Sequence, residues 1–369
     1  MTEAQQPTAE TVEQHRFPCA QCGGKLQFEP GTDHLVCPYC GHDNPVPKAA
    51  ARVVEQDFRS MLAQAASAKP TQELHTVKCD ACGALPRMPP DVTSMRCPFC
   101  GSNIVSQARA DRTIRPEAVL PFAINDAQSR ELFRRWVASR WFAPSELKSR
   151  ALAAPRIDGY YLPFWTYDAD TSTQYVGRRG DAYYVPVSYT VNGRTQTRME
   201  RRIRWSPASG VVNDSFDDLL VAATASLPRN RLDALEPWDL DQLKPYADDY
   251  LAGFSSEAYQ VDLEQGFGIA REMMVPTIEQ SVRADIGGDE QQITDMRTRY
   301  GKITFKHILL PVWITAYRYR EKSYRIIVNA RTGEIQGDRP YSVVKITLAV
   351  LAALALIAIV VAIVAINNR

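Results

Sequence analysis

All eight cysteines of this chain fall into four Cys-x-x-Cys pairs, and this feature constrains the fold more than any other. The pairs form two equal units 60 residues apart, and in each unit fourteen residues separate the first pair from the second. The first unit holds Cys19, Cys22, Cys37 and Cys40, and the second holds Cys79, Cys82, Cys97 and Cys100. Two such pairs, brought together by a hairpin, complete a tetrahedral shell of four sulfurs around one metal ion. The pattern predicts two zinc ribbons, 15–48 and 75–108, each with one Zn2+.

A glycine follows the second cysteine of every pair, at Gly23, Gly41, Gly83 and Gly101. This place often needs a positive φ so that backbone amides point at sulfur, and glycine adopts it without steric cost. The alternatives are four disulfides in a secreted chain or a thioredoxin-like redox pair. Because we find no βαβ pattern around the pairs and no signal peptide, we favour metal. A closed four-sulfur site leaves no open coordination position, so we predict structural sites.

Near the other end of the chain, 346–366 is a run of 21 residues without a charge. As a helix rising about 1.5 Å per residue, this run spans the roughly 30 Å hydrocarbon layer of a bilayer. A buried core helix is the alternative, but such a helix is seldom this long or bracketed by charges such as Lys345 and Arg369. We therefore predict a transmembrane helix at 345–366 and a tail-anchored protein.

Two arguments predict the orientation of this helix. Thiolate metal sites survive in a reducing compartment. Arg331, Arg339 and Lys345 precede the helix, against the single Arg369 after it, and positive charge favours the cytoplasmic side. We expect a single-pass protein of the cytoplasmic membrane whose N-terminal bulk lies in the cytoplasm.

Between the cysteine units and before them the composition is that of connectors. Residues 1–14, rich in Glu, Gln and Thr, are predicted to be a disordered arm. Residues 49–74 form a linker in which apolar residues recur at helical spacing, so we predict a short amphipathic helix there. Those residues are Val54, Phe58, Met61, Leu62 and Ala65.

Residues 115–342 are predicted to form an antiparallel α+β domain, because strands rich in Tyr, Val, Ile and Trp alternate with few helices. One helix runs from a cap at Asn125 or Asp126 to about 140, and a longer one covers 262–285 with an interruption at Pro276. Asn192-Gly193 predicts a tight hairpin turn.

An internal repeat is suggested within this domain. The sequence LPFW at 162–165 recurs as LPVW at 310–313, which indicates two related helix-plus-sheet halves. The segment 328–337 resembles the strand and turn of PepSY and cystatin-like α+β domains, in which a bent antiparallel sheet wraps a helix.

The domain offers no catalytic constellation, so we do not expect an enzyme. It contains one histidine, His307, which we interpret as a strand residue, and it lacks the motifs of metalloproteases, serine hydrolases and P-loop NTPases. The adjacent carboxylates Asp217 and Asp218, and likewise Asp248 and Asp249, are interpreted as a solvated face.

A stripe of arginines follows the predicted turn. Arg194, Arg198, Arg202 and Arg204 alternate onto one face of a strand, and Met199, Ile203 and Trp205 alternate onto the other. The stripe suits anionic lipid headgroups, or internal pairing with the acidic segment 213–218. We favour the internal pairing.

The arrangement resembles a bacterial family of membrane-anchored double zinc-ribbon proteins, described as carrying a TFIIB-type ribbon and in part labelled as primosomal protein N-prime, the replication-restart helicase. The likeness rests on the eight cysteines, the LPFW and LPVW segments and the terminal helix. It implies an accessory role as a partner of SPFH (flotillin-like) or PspA-type membrane-stress proteins. The helicase label lacks support, because Gly24-Lys25 and Gly301-Lys302 have no phosphate-binding loop around them.

These observations favour a non-enzymatic adaptor that recruits SPFH-type or PspA-type proteins to the bilayer entered by 346–366. The alternative is nucleic-acid binding by membrane-tethered ribbons. The formal net charge of +1 gives that alternative little support. Residues 75–112 include five basic and three acidic side chains. This excess of positive charge is small for a surface that binds the phosphates of a nucleic acid.

Overall fold

The computed structural model describes residues 17–47, 52–66, 72–88, 92, 94–105, 109–144, 157–191, 194–319, 322–338 and 341–367. The predicted disordered arm, 1–14, and the predicted turn residues Asn192 and Gly193 lie outside the described residues.

The described chain is a mixed α/β protein. Its strands are β1 (Gln27–Phe28), β2 (His34–Val36), β3 (Asp43–Pro45), β4 (Gln56–Asp57), β5 (Gln72–Thr76), β6 (Ser94–Arg96), β7 (Asn103–Val105), β8 (Arg109–Thr113), β9 (Ala118–Val119), β10 (Asp158–Val191), β11 (Arg194–Ala222), β12 (Lys244–Pro245), β13 (Ser255–Ser256), β14 (Glu290–Tyr319), β15 (Lys322–Asn329) and β16 (Ile335–Gly337). Its helices are α1 (Phe58–Ala66), α2 (Asp126–Ser139), α3 (Arg229–Asp233), α4 (Leu263–Ile286) and α5 (Val343–Asn367). Two short 3-10 helices cover Leu240–Gln242 and Asp248–Leu251.

Three very long strands, β10, β11 and β14, form the centre of the main sheet. The sheet order is β11-β10-β14-β15-β16, and each of these neighbours pairs antiparallel. The short strands β4, β9, β12 and β13 join its edges, β9 and β13 in parallel pairings. Between β10 and β14 the register places Leu162 opposite Leu310. Between β10 and β11 it places Val191 opposite Arg194, as expected for strands joined by the hairpin predicted at Asn192-Gly193.

Burial changes in three zones along β10. Residues 160–167 are buried without a break, residues 169–177 alternate between buried and more exposed, and no residue in 181–190 is buried. An unbroken apolar and aromatic run is what a strand covered on both faces requires, whereas alternation suits a strand covered on one face. The strand therefore passes from the core, along a helix-covered stretch, into solvent.

Helix α4 covers the middle zone of the sheet. Asp262 caps it through a reciprocal capping box with Gln265, and Gly287 ends it at φ 65°. Its buried residues recur every three or four positions and face the sheet: Leu263, Gly266, Phe267, Ala270, Met274, Ile278, Val282 and Ile286. The predicted interruption at Pro276 is wrong, because α4 continues through this proline. Helix α2 has the equivalent capping box between Asn125 and Gln128, so the predicted cap is Asn125.

The same set of hydrogen bonds occurs twice around the LPFW and LPVW segments. Trp165 Nε1 donates to the carbonyl of Val261 at 3.0 Å, one residue before the cap of α4. Trp313 Nε1 donates to the carbonyl of Ile124 at 2.8 Å, one residue before the cap of α2. Trp165 of β10 thus contacts the start of α4, and Trp313 of β14 contacts the start of α2.

Backbone bonds complete the likeness between these two places. Ala223 donates its N–H to Pro163 O, and the carbonyl of Ala223 accepts from Gln260 and Val261. In the other place Ala330 donates to Pro311 O, and its carbonyl accepts from the N–H groups of Ala123 and Ile124.

The two cysteine units pack against the main sheet on opposite faces. Tyr160 and Tyr161 are neighbours in β10 and therefore point to opposite sides. The core around Tyr160 includes Cys79 and Cys97, and the core around Tyr161 includes Cys19 and Cys37. Contacts therefore cross the predicted boundaries of 15–48, 75–108 and 115–342.

Helix α5 lies outside the core. Its stretch Val343–Ile366 is exposed over its most apolar part, and it is long and apolar enough to cross a bilayer. The helix begins slightly before the apolar run recognised at 346–366.

Candidate metal centres and an exposed arm

Four nearly identical turns carry the eight cysteines. In each turn the residue after the second cysteine donates its N–H to the carbonyl of the first cysteine, from Gly23 to Cys19 and from Gly83 to Cys79 for example. The glycines there have φ between 71° and 77°: Gly23, Gly41, Gly83 and Gly101. The predicted positive φ is confirmed at all four. A side chain in that conformation would strain the turn.

The sulfurs of each unit converge on one point. In the first unit Cys19 Sγ lies 3.6 Å from Cys40 Sγ, and Cys22 Sγ lies 3.5 Å from Cys37 Sγ. In the second unit the corresponding separations are 3.7 Å and 3.6 Å, for Cys79–Cys100 and Cys82–Cys97. All four sulfurs of a unit lie within 4.8 Å of one another. All eight cysteines are free thiols, so the predicted alternative of four disulfides is absent from this structure.

These separations fit a shared metal ion. Metal–sulfur bonds of about 2.3 Å in tetrahedral geometry place sulfurs roughly 3.8 Å apart, close to what both units show. Backbone amides point at the sulfurs as well, with Gln21 N 3.4 Å from Cys19 Sγ. The structure thus brings together all the cysteines that the spacing predicted, as two four-sulfur sites compatible with one metal ion each.

The thiols of one unit influence each other's protonation. The hydrogen bond from the Cys97 thiol, opposed by burial, lowers the pKa of Cys82 to about 5. The same bond, reinforced by burial, raises the pKa of Cys97 far above its usual range. Thiols crowded in this way cannot all ionise unless a cation compensates their charge.

Each site is tied to the domain by polar as well as apolar contacts. In the second unit Phe99 packs edge-on against Tyr160, with ring centroids 5.1 Å apart, and Leu85 N donates to the buried carboxylate of Glu257 at 3.0 Å. In the first unit Phe28 N donates to Ala252 O at 2.9 Å.

The carboxylate of Glu257 binds the second unit to the rest of the domain. It also accepts hydrogen bonds from Thr224, Ser226 and Gln260, and burial raises the pKa of Glu257. No feature of the sequence marked this residue, because its partners other than Gln260 are distant along the chain.

An acidic group on the edge of the sheet was also missed. Glu55, Asp168 and Asp217 place carboxylate oxygens close together, and burial raises the pKa of Asp168 to about 6. The ammonium of Lys306 lies 2.6 Å from Asp218 Oδ1 and 3.3 Å from Glu55 Oε1. We interpret this group as an ionic contact that docks the linker strand β4 onto β14. The prediction that Asp217 and Asp218 form a solvated face is wrong for Asp218.

His307 is a buried strand residue, as predicted. It lies in β14, its side chain packs against Trp165 with ring centroids 4.6 Å apart, and its Nδ1 is 2.9 Å from Ile114 O.

The arginine stripe lies on a two-stranded arm, 181–204, that extends beyond the sheet. The last pairing of β14 with β10 is at Gly180, and from there only β10 and β11 pair with each other. From 181 to 191 the arm extends about 33 Å at the usual rise per residue. None of its described residues, 181–190 and 194–204, is buried.

The two faces of the arm follow the predicted alternation. Arg202 is opposite Tyr183 and Arg198 is opposite Val187, whereas Met199 is opposite Pro186 on the other face. Arg204 stacks over the ring of Tyr183 and Arg198 over that of Tyr189, at 5.6 Å in both cases.

Internal pairing of the stripe with 213–218 is the wrong interpretation. That segment lies farther along β11, about 30 Å beyond Arg204 at the usual rise. Its carboxylates have other partners, since Asp214 accepts from Ser281 at 2.5 Å and Asp218 pairs with Lys306.

The described chain is thus an α/β protein with two four-cysteine sites and one apolar helix that can span a bilayer. It is 24% identical over 337 residues to a protein of Bacillus subtilis (strain 168) named uncharacterized protein YdjG, and this similarity covers 89% of the present chain and 91% of that protein. No family model matches the chain. No solved structure matches it.

Proposed function

We propose that this protein is a non-enzymatic adaptor, anchored in the cytoplasmic membrane by α5, that recruits a protein partner through the arm 181–204. The observation that carries the proposal is the exposure of the arm, none of whose described residues is buried. A long two-stranded extension loses conformational entropy when it becomes ordered, and here no burial of apolar side chains offsets this loss. We therefore infer that the arm functions by binding a molecule other than this chain.

The two cysteine units are proposed to be zinc ribbons whose metal ions stabilise their packing against the sheet. Zinc favours closed four-thiolate shells and has no redox chemistry to impose, and a closed shell leaves no position for a substrate. The sulfur geometry and the packing of both units against Tyr160 and Tyr161 support a structural role.

The proposed orientation of the protein in the membrane and the position of the arm support a cytoplasmic partner. Reduced thiolate sites and the basic residues Arg331 and Lys345 before α5 favour a cytoplasmic bulk. Along β10, the contour from Asp158 to Asp181 is about 75 Å at the usual rise, and α5 follows the sheet end that contains Asp158. The arm is therefore at the end of the sheet opposite the anchor, where it meets cytoplasmic proteins more readily than lipid.

The chemistry of the arm defines the kind of partner. One face combines Tyr183 and Tyr189 with four arginines, a composition typical of the central residues of protein interfaces. An acidic helical or coiled-coil surface complements this face. The resemblance to membrane-anchored double zinc-ribbon proteins implies that this partner is a membrane-stress protein of the SPFH or PspA type.

A second candidate function is nucleic-acid binding, and the observation that favours it also lies in the arm. Arginines stacked on tyrosines, as Arg198 on Tyr189, are suited to phosphate contacts and base stacking. It places nucleic acid on the arm, whereas the cysteine spacing alone suggested the ribbons.

Site-specific photo-crosslinking in cells tests the proposal. A photoreactive amino acid is placed at Tyr183 or Tyr189, each 38% exposed on the tyrosine–arginine face of the arm, and at Tyr39 or Val105, which are 78% and 79% exposed on the cysteine units. We expect a discrete protein adduct from the arm positions, identified by mass spectrometry as a membrane-associated protein. Adducts only from Tyr39 or Val105 would transfer the docking role to the ribbons. Adducts with nucleic acid that disappear at high salt would establish the second candidate instead.

A further inference from the structure

Two large apolar side chains are exposed next to each other in the loop after α2. Trp141 is 76% exposed and Phe142 is 37% exposed. Large apolar side chains are stabilising when they are removed from water, so a neighbouring exposed pair indicates a surface that is covered by something else.

Hydrogen bonds fix this loop to the start of α5. Ser342 N donates to Phe142 O at 2.8 Å. The ammonium of Lys345 donates to Ala143 O at 2.8 Å and to Trp141 O at 3.3 Å. The loop 140–143 therefore stays beside the first turn of α5 wherever that turn is placed.

The position of Lys345 sets the depth of the loop. Lys345 is the last charged residue before the apolar run that begins at Ile346, so it marks the boundary between headgroups and hydrocarbon. Tryptophan and tyrosine are enriched at this boundary because their rings are apolar with a polar edge. Tyr341, 58% exposed and four residues before Lys345, belongs to the same level.

We propose that the loop 140–143 is a second membrane contact, in which Trp141 and Phe142 insert into the interfacial layer of a phospholipid bilayer beside α5. The occupant is lipid, because the exposed pair is continuous with the span of α5 and is hydrogen-bonded to it. The inference depends on the proposed crossing of the membrane by α5. A single helix leaves the sheet free to tilt, whereas two contacts fix its angle to the membrane and so determine where the arm points.

Quenching of tryptophan fluorescence by brominated lipids tests this contact. The full-length protein is reconstituted into phosphatidylethanolamine–phosphatidylglycerol vesicles containing phospholipid brominated near the headgroup end of its acyl chains. Wild type is compared with Trp141→Phe and with the matched control Trp205→Phe, which removes a tryptophan from the far end of the sheet. We expect wild type and the control to be quenched alike, and Trp141→Phe to lose most of the quenching.

Vesicle flotation separates a failed contact from a failed anchor. If the protein floats with the vesicles and Trp141→Phe is quenched as much as wild type, the loop contact is overturned while the anchor stands. If wild type does not float, the crossing of α5 fails and the loop proposal with it. Protection of Trp141 from aqueous acrylamide without quenching by bromolipid, at high protein-to-lipid ratio only, would assign the surface to a second copy of the chain and overturn the lipid contact.

Discussion

Trp313 donates its indole N–H to the carbonyl of Ile124 at 2.8 Å, immediately before the capping box that starts α2. Trp165 does the same for Val261 at the start of α4. Both indoles are buried, so each indole N–H needs an acceptor within the protein, and these carbonyls supply it. The recurrence supports the proposal that the domain arose from two related halves that exchange this contact.

Replacing either tryptophan with phenylalanine should therefore have similar effects. Trp165→Phe and Trp313→Phe each keep an aromatic ring but remove the hydrogen bond to the carbonyl of a half-buried residue, which costs about 0.5–1.5 kcal/mol. We expect both variants to unfold at lower denaturant concentration than wild type in detergent micelles. Trp141→Phe, at an exposed position, should change the midpoint little. A large destabilisation by only one of the two buried variants would contradict the equivalence of the halves.

The metal sites make a stoichiometric prediction. We expect two zinc ions per purified chain, measured by plasma mass spectrometry, and one after Cys40→Ser, since each site needs four thiolates. Cys97→Ser should also remove one zinc and should lower the unfolding temperature, because Cys97 is buried in the core that contains Tyr160. Iron in place of zinc, with its visible absorption, would contradict the proposed metal while leaving the sites intact.

The cysteine turns and helix caps were predictable because their causes are local. A Cys-x-x-Cys-Gly turn and an Asn or Asp three residues before Gln determine their own geometry within a few residues. Packing of the two units on opposite faces of β10 was not predictable in this way. It depends on contacts such as Leu85 with Glu257, 172 residues apart, and on whether Tyr160 or Tyr161 faces a given unit.

The length and exposure of the arm were also beyond local patterns. Alternation of Tyr and Arg predicts a strand, but the same alternation occurs in a strand with one covered face. Only the register shows that the pairing of β10 with β14 ends at Gly180, whereas the pairing of β10 with β11 continues to Val191 and Arg194. The misinterpretation of Asp218 has a related cause, because its partner Lys306 comes from a distant strand.

Two neighbouring titratable groups, the buried His307 and the half-buried Glu117, predict how stability depends on pH. His307 N donates to Glu117 Oε2 at 2.6 Å. Burial lowers the pKa of His307 to about 4 and raises the pKa of Glu117 to about 7. A depressed histidine pKa contributes stability that is present above its unfolded value of about 6.5 and lost as the pH falls towards 4, by about 3 kcal/mol in total. The raised pKa of Glu117 acts in the opposite sense, and its contribution is lost as the pH rises from about 4.5 to 7.

Single substitutions separate these two contributions. His307→Gln should reduce the loss of stability between pH 6.5 and 4, and Glu117→Gln should raise the unfolding temperature above pH 7 while changing it little near pH 4.5. Thermal unfolding at several pH values measures both. Release of metal at low pH affects wild type and both variants alike, so the difference between them isolates each group. Parallel pH curves for wild type and His307→Gln would contradict the assignment.

The arm should be dispensable for folding and essential for recruitment. Ala182 lies opposite Ile203, as Val191 lies opposite Arg194, so residues 183–202 can be replaced by Asn-Gly to close the hairpin earlier with the native turn sequence. Since none of the removed residues that the structure describes is buried, the free energy of unfolding should change by less than about 1 kcal/mol. The shortened protein should still bind two zinc ions and float with membranes, but it should no longer yield the crosslinked partner.

A charge reversal at full length provides the matched control for this deletion. Arg198→Glu with Arg202→Glu inverts one face of the arm, whereas Arg201→Glu changes the other face. If an acidic partner binds the tyrosine–arginine face, the double variant should lose capture and Arg201→Glu should retain most of it. A fall of several kcal/mol in stability on shortening the arm would instead make the arm part of the fold. Equal loss of capture from both faces would favour a partner that encloses the arm, and the acidic-surface proposal would then be wrong.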